Sequence, residues 1–383
     1  MSTASPLPIS AFLPQVAEVL HRSGKLVLQA EPGAGKSTLL PLSLLDSKWL
    51  KGKKILMLEP RRVAAKSIAH YLAHQLGEDL GERVGYQIKN DRKISKNTVL
   101  EIVTEGILTR RLQGDPEIAD IGLIIFDEFH ERSIHADLSL MLALDIQQTL
   151  REDLKLLVMS ATIDTGLVSR YMGCSEVIEC PGRIYPVSLQ FMNESKAPLA
   201  QQVVDALRLV LGEEKHGDIL VFLPGQADIK RCLSTCKSVF GSNTDLRFHS
   251  LYGGLTLALQ EQALIPDPNG KKRVVFTTNI AETSLTIEGV SAVIDSGLEK
   301  TLVYDPSSDM TRLETTYISK ASAEQRKGRA GRTQAGTCIR LWSEARHSSL
   351  RDFQGEEVLS ADLSGLVLDL NIWGSVNFDE INW

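Results

Sequence analysis

Leu26-Val-Leu-Gln-Ala-Glu-Pro-Gly-Ala-Gly-Lys-Ser-Thr38 decides the reading of this chain. A short β-rich apolar run, Leu26–Ala30, stops at a Gly-punctuated turn, and an apolar helical stretch follows Thr38. This is the order of a P-loop. Gly33 and Gly35, with Ala34 between them, let backbone N–H groups curl around phosphate oxygens without a Cβ in the way. Lys36 can reach the terminal phosphates, and the Ser37 hydroxyl can ligate Mg²⁺. The helix after the turn is expected to point its positive end at the anion. Ala30 stands where such loops usually carry a first glycine.

Three stretches downstream gain meaning from that loop. The run Leu123–Phe126 ends in Asp127-Glu-Phe-His130, which places two carboxylates at a strand terminus, where ligands gather in open parallel sheets. Asp127 is read as a metal-side group, and Glu128 as the group that orients or deprotonates an attacking water. Ser160-Ala-Thr162 follows a third apolar run, Leu156–Met159. Gln325-Arg-Lys-Gly-Arg-Ala-Gly-Arg332 spaces Arg326, Arg329 and Arg332 three residues apart, which on a helix would gather them on one side. Planar, permanently charged guanidinium groups suit a phosphate whose charge builds in a transition state.

Further out, strand-like runs alternate with helical stretches in two series. The first comprises Leu26–Ala30, Lys54–Leu58, Val99–Val103, Leu123–Phe126 and Leu156–Met159. The second comprises Ile219–Leu223, Leu246–His249, Val274–Thr277, Ala292–Ile294 and Cys338–Leu341. Runs this apolar suit strands buried on both faces, so the fold class is α/β, with two tandem parallel-sheet domains. The Pro/Gly-punctuated stretch Cys180–Pro186 is read as the linker, which gives domains at 1–180 and 181–345 and a C-terminal extension at 346–383. In 383 residues the net charge is −6, so nucleic acid would be held along a local basic track and not by bulk attraction. The five scattered cysteines do not form a disulfide or zinc pattern. The N-terminus has no basic segment leading into an apolar core, which makes a cytoplasmic location the expectation.

Taken in order, GAGKST, LEPRRVAA, TEG, DEFH, SAT, VFLPG, TTNIAETSLT and QRKGRAGR resemble the motif series of superfamily-2 helicases, and in particular the DEAH/RHA family. The likeness runs from about Gly24 to the C-terminus. It implies two RecA-like domains that bind Mg-ATP in a cleft and translocate 3′→5′ on RNA. Lys36, Ser37 and Thr38 would hold phosphate and metal, Asp127 and Glu128 the metal and water, and His130 would couple to Gln325. Arg329 and Arg332 would be arginine fingers, and Ser284 a sensor of nucleotide state. Arg61, Arg62, Thr104, Thr278 and Asn279 would line a sugar–phosphate track for single-stranded RNA or DNA, read without regard to base.

Leu302–Leu313 reads as a hairpin, which in this family resembles a strand-separating wedge. Two departures bear on the nucleotide. Tyr71 and Leu264 stand where relatives stack adenine between an Arg and a Phe, so other NTPs are expected to be accepted beside ATP. Lys327 replaces a small residue between Arg326 and Gly328. The segment from Leu359 looks like the start of a winged-helix domain cut short. Its stripe of Leu363, Leu366, Val367, Leu370 and Trp373 is expected to pack on the second domain or stay partly exposed. The same motifs would also serve an RNA-stimulated clamp or remodelling ATPase that does not unwind processively.

Overall fold

Ile121-Gly-Leu-Ile-Ile-Phe126 is buried at all six positions, as the both-sided burial of a central parallel strand requires. A computed structural model describes residues 7–174, 176–182, 185–212, 217–282, 287, 289–332, 334–374 and 381. The chain divides into two units, Met1–Arg183 with Gly355–Trp383, and Ile184–Gln354. Arg183 and Ile184, inside the stretch read as the linker, lie outside the described residues.

The first unit is built on eight strands: β1 (Lys25–Ala30), β2 (Lys54–Leu58), β3 (Val84–Ile88), β4 (Asp91–Lys93), β5 (Leu100–Val103), β6 (Ile121–Phe126), β7 (Lys155–Ser160) and β8 (Val177–Cys180). Their spatial order is β4-β3-β5-β2-β6-β7-β1-β8. Every pairing is parallel except β3 with β4. Alternation along each strand sends side chains to two separate cores. Leu26, Leu28, Ile55, Met57, Leu123 and Ile125 join one cluster; Val27, Leu56, Leu58, Ile124 and Phe126 join the other. This second cluster also takes Leu366 and Leu370 from the helix Ser364–Trp373. Leu366 and Leu370 of the C-terminal apolar stripe therefore pack on the first unit, not on the second, while Leu363 and Val367 stay partly exposed, the other outcome the sequence reading allows. Trp373 Nε1 donates to Asp145 Oδ2 at 2.8 Å and Gln113 Nε2 to the Asp369 carbonyl at 3.1 Å, both within the first unit.

The second unit holds six parallel strands: β9 (Val187–Phe191), β10 (Asp218–Phe222), β11 (Leu246–Leu251), β12 (Lys272–Thr277), β13 (Val290–Asp295) and β16 (Gly336–Arg340), in the order β11-β12-β10-β13-β16-β9. Cys232 and Cys236 share the buried face of the helix Gln226–Phe240, and both thiols are pushed up to about 12 by burial. Between β13 and β16 lies the hairpin read from the sequence, β14 (Leu298–Asp305) and β15 (Met310–Tyr317), antiparallel and in unbroken register. Leu302, Met310 and Leu313 on it are at least half exposed. No helix among the described residues is long and apolar enough to cross a membrane.

Candidate functional site

Strands β6, β7 and β1 are immediate neighbours in one parallel sheet, so Asp127, Ser160 and the Gly33–Thr38 loop emerge side by side at its C-terminal edge. Gly33 and Gly35 take φ of +84° and +97°, a region that a Cβ disfavours. At Gly35 a Cβ would also sit 2.9 Å from Ile9 Cγ2. The Gly35 carbonyl accepts from the Thr38 N–H at 3.3 Å and the Leu39 N–H at 2.9 Å. The regular helix starts at Leu39, directly after Thr38 as the sequence reading expects, and the tight turn takes up Lys36–Thr38.

Lys36 is 5% exposed, and its Nζ lies 2.6 Å from Glu128 Oε1 and 3.5 Å from Asp127 Oδ1. Burial alone would lower the ammonium pKa, but Asp127, Glu128 and the nearby Glu59 outweigh it and hold it well above the usual lysine range. Burial raises the Asp127 carboxyl, Lys36 opposes that and Glu128 adds to it; the Ser37 hydroxyl beside it favours the ionised form. Glu128 adopts φ 52°, ψ 34°, a left-handed conformation unusual for a non-glycine residue, and its N–H donates to Asp127 Oδ1 at 2.9 Å. His130 is 8% exposed, with Nδ1 3.5 Å from Glu128 Oε2. Asp127 Oδ2, Ser160 Oγ and both His130 ring nitrogens are buried with no hydrogen-bond partner among the described residues. Buried polar atoms are nearly always paired, so this convergent set is a site prepared for a polar ligand. One open carboxylate oxygen beside a serine hydroxyl is a hard-oxygen donor set that fits Mg²⁺ with water completing its shell.

Arg61 follows β2 and Thr104 follows β5, so both stand on the same edge of the first sheet. Arg62 is exposed, whereas Arg61 is partly buried and paired with Glu131 at 3.0 Å. In the second unit, Thr278 and the exposed Asn279 follow β12. Ser284 lies outside the described residues.

The three arginines spaced by three do not share a helix face. The helix Lys320–Gly328 gives way to a 3-10 turn over Arg329–Gly331. Arg326 is 1% exposed, binds Glu282 and Asp295 at 2.9 Å each, and its guanidinium lies 5.0 Å from the centre of the Phe222 ring. Arg329 Nε donates to the Glu282 carbonyl at 2.9 Å. Arg332 is half-buried and Gln325 is buried.

Residues 14–169 match the DEAD/DEAH box helicase family and residues 201–334 the helicase conserved C-terminal domain. The chain belongs to the DEAD/DEAH box helicases. It is 43% identical over 382 residues to the ATP-dependent RNA helicase HrpB of Escherichia coli (strain K12), covering 99% of this chain and 46% of that protein. It is 37% identical to the ATP-dependent RNA helicase HrpA of Borreliella burgdorferi, covering 98% of this chain and 46% of that protein. The crystal structure of the Escherichia coli DEAH/RHA helicase HrpB superposes with a TM-score of 0.92 at 42% identity, over 98% of this chain and 48% of that one. The chain thus spans about half the length of the curated relatives it matches.

Within this helicase architecture, sequence reasoning missed three buried carboxylates. Glu59 is fully buried after β2, and its Oε1 accepts the Arg61 N–H at 3.3 Å. Glu282 accepts from Ser322 Oγ at 2.6 Å as well as from Arg326, and Asp295 ends β13. The available signal was charge balance: a buried lysine or arginine needs buried acid, and each of these acids closes a strand or sits in a motif already singled out.

Proposed function

We propose that this chain is the nucleotide-hydrolysing motor of an ATP-dependent RNA helicase. The observation that carries the reading is the buried Lys36–Glu128–Asp127 constellation at the ends of β1 and β6, the two parallel strands that flank β7. Nucleotide phosphates take the place of the Glu128 carboxylate on Lys36, with the backbone of Gly33–Thr38 curled around them. Once released from Lys36, Glu128 orients the attacking water and accepts its proton, and His130 stands beside it. Asp127 and Ser37 would hold Mg²⁺, which would supply positive charge against the phosphates. Arg329 and Arg332 of the second unit stabilise charge on the transferring phosphoryl group, Gln325 pairs with His130, and Ser284 reports the nucleotide state. ATP is the fuel, and other NTPs are accepted.

Arg61, Arg62, Thr104, Thr278 and Asn279 grip the sugar–phosphate backbone of a single strand, so binding is indifferent to sequence and sensitive to salt. Translocation runs 3′→5′, and the β14–β15 hairpin separates strands. What supports the RNA side is the likeness to relatives named as RNA helicases, together with the placement of Arg61 and Thr104 on the edge that carries the nucleotide residues. The testing experiment is steady-state phosphate release with and without single-stranded RNA, alongside Glu128→Gln. Stimulation that the substitution abolishes supports the motor; RNA-independent release that survives it refutes the assignment. A 3′-tailed duplex that stays paired while ATP is consumed would favour a clamp.

A further inference from the structure

Arg61 Nε and Nη2 both lie 3.0 Å from Glu131 Oε1, with 19% and 24% of the two side chains exposed. Glu131 closes the 3-10 turn Phe129–Glu131, and the turn is bracketed by two non-glycine residues in the left-handed region, Glu128 at φ 52° and Arg132 at φ 50°. One end of this five-residue stretch, Glu128, holds the P-loop lysine at 2.6 Å; near the other end, Glu131 holds Arg61. Beyond it the backbone is tied down. Arg132 pairs with Asp137 and Glu356 at 3.2 Å each, and Glu357 Oε2 accepts the Ile134 N–H at 3.0 Å. Any movement of the turn is therefore confined to Glu128–Glu131. Left-handed residues of this kind carry backbone strain, so the turn sits where a small change of contacts can reset it.

A guanidinium grips a carboxylate and a phosphate with the same planar hydrogen-bonding edge. We infer that Glu131 is an internal stand-in for RNA phosphate on Arg61, and that a bound strand displaces it and frees the turn carrying Glu128 and His130. RNA occupancy is thereby tied to the setting of the hydrolytic carboxylate. This rests on the proposed reading of Arg61 as a phosphate contact.

The test uses this chain with a fluorescein-labelled oligouridylate, measuring anisotropy and phosphate release for the unaltered protein, Glu131→Gln, Arg61→Ala and the double variant. The ion pair keeps some solvent contact and its loss frees Arg61 for phosphate, so Glu131→Gln should tighten RNA binding about two- to five-fold. It should also raise phosphate release without RNA and shrink the ratio of RNA-stimulated to RNA-free rate. Arg61→Ala should weaken binding and erase the effect of Glu131→Gln on affinity. Glu131→Asp, with its shorter reach, should fall between. If Glu131→Gln tightens binding equally without Arg61, or lowers both rates together, Glu131 is only structural and the inference fails. If Arg61→Ala binds RNA as tightly as the unaltered chain, the phosphate contact itself is refuted, and the inference with it.

Discussion

Lys36 Nζ and Glu128 Oε1 lie 2.6 Å apart in the interior of the first unit, so the group proposed to grip phosphate and the group proposed to activate water are bound to each other. Removing one partner of a buried pair costs about 3–5 kcal/mol, because the other is left charged and unpaired. Lys36→Ala should therefore abolish phosphate release and also lower the melting temperature of the first unit by several degrees. Adding Glu128→Gln should return part of that loss without returning activity. Thermal melts of the two single variants and the double variant give the coupling, and strictly additive shifts would show that the pair does not act as one.

Arg326 and Arg332 belong to one motif but should fail differently. Arg326 is fully buried between Glu282 and Asp295, so Arg326→Ala leaves two interior carboxylates uncompensated and should destabilise the second unit by about 3–5 kcal/mol. Arg332 is half-buried, and Arg332→Ala should change stability by no more than about 1 kcal/mol while lowering kcat by at least about tenfold. A melt and a turnover measurement on each variant separate the two cases; an unchanged kcat in Arg332→Ala would remove it from the chemistry.

Glu105 gives the first unit a pH dependence. Burial raises its carboxyl to about 7 despite the Ser133 hydroxyl that bonds it, and Glu131, Glu357 and Asp137 add to the rise. The folded state then holds a proton that the unfolded state gives up near 4.5, so stability falls as pH climbs between those values and levels off above 7. Glu105→Gln should raise the melting temperature at pH 8 by about 2–4 °C and leave it unchanged at pH 4. An equal gain at both values would mean that the charge is not the cause.

The exposed Arg62 tests the phosphate track. Arg62→Ala should weaken binding to all single-stranded sequences alike and reduce the slope of log affinity against log salt by about one. A sequence-dependent loss, or an unchanged slope, would place Arg62 off the track.

The sequence made the centre of each sheet legible and left the margins dark. The runs at β1, β2, β6 and β7 are apolar on both faces, which only a covered parallel sheet explains. The strands β3, β4, β8 and β9 went unseen: β4, β8 and β9 are edge strands, which need no apolar run, and β3, Val84–Ile88, is broken up by Gly85 and Gln87. The phosphate loop was readable because its chemistry demands glycine at fixed positions. The arginine triplet was not, since a spacing of three predicts one helix face only while the helix lasts, and it ends at Gly328. Nor could spacing reveal that Arg61 and Glu131, seventy residues apart, are paired.

The burial of Leu366 and Leu370 in the cluster that also holds Val27 and Ile124 bears on how the protein is made. The first unit draws its interior from both sides of Ile184–Gln354, whereas that middle portion is one uninterrupted stretch. During synthesis the middle portion can finish folding as it leaves the ribosome, while the unit translated earlier must wait for residues near 370 to close its interior. The unit translated first is thus the unit completed last, and a nascent chain stalled before Leu366 would leave Leu140 and Val168, which line one cavity with Leu366 and Leu370, open to chaperones or to aggregation.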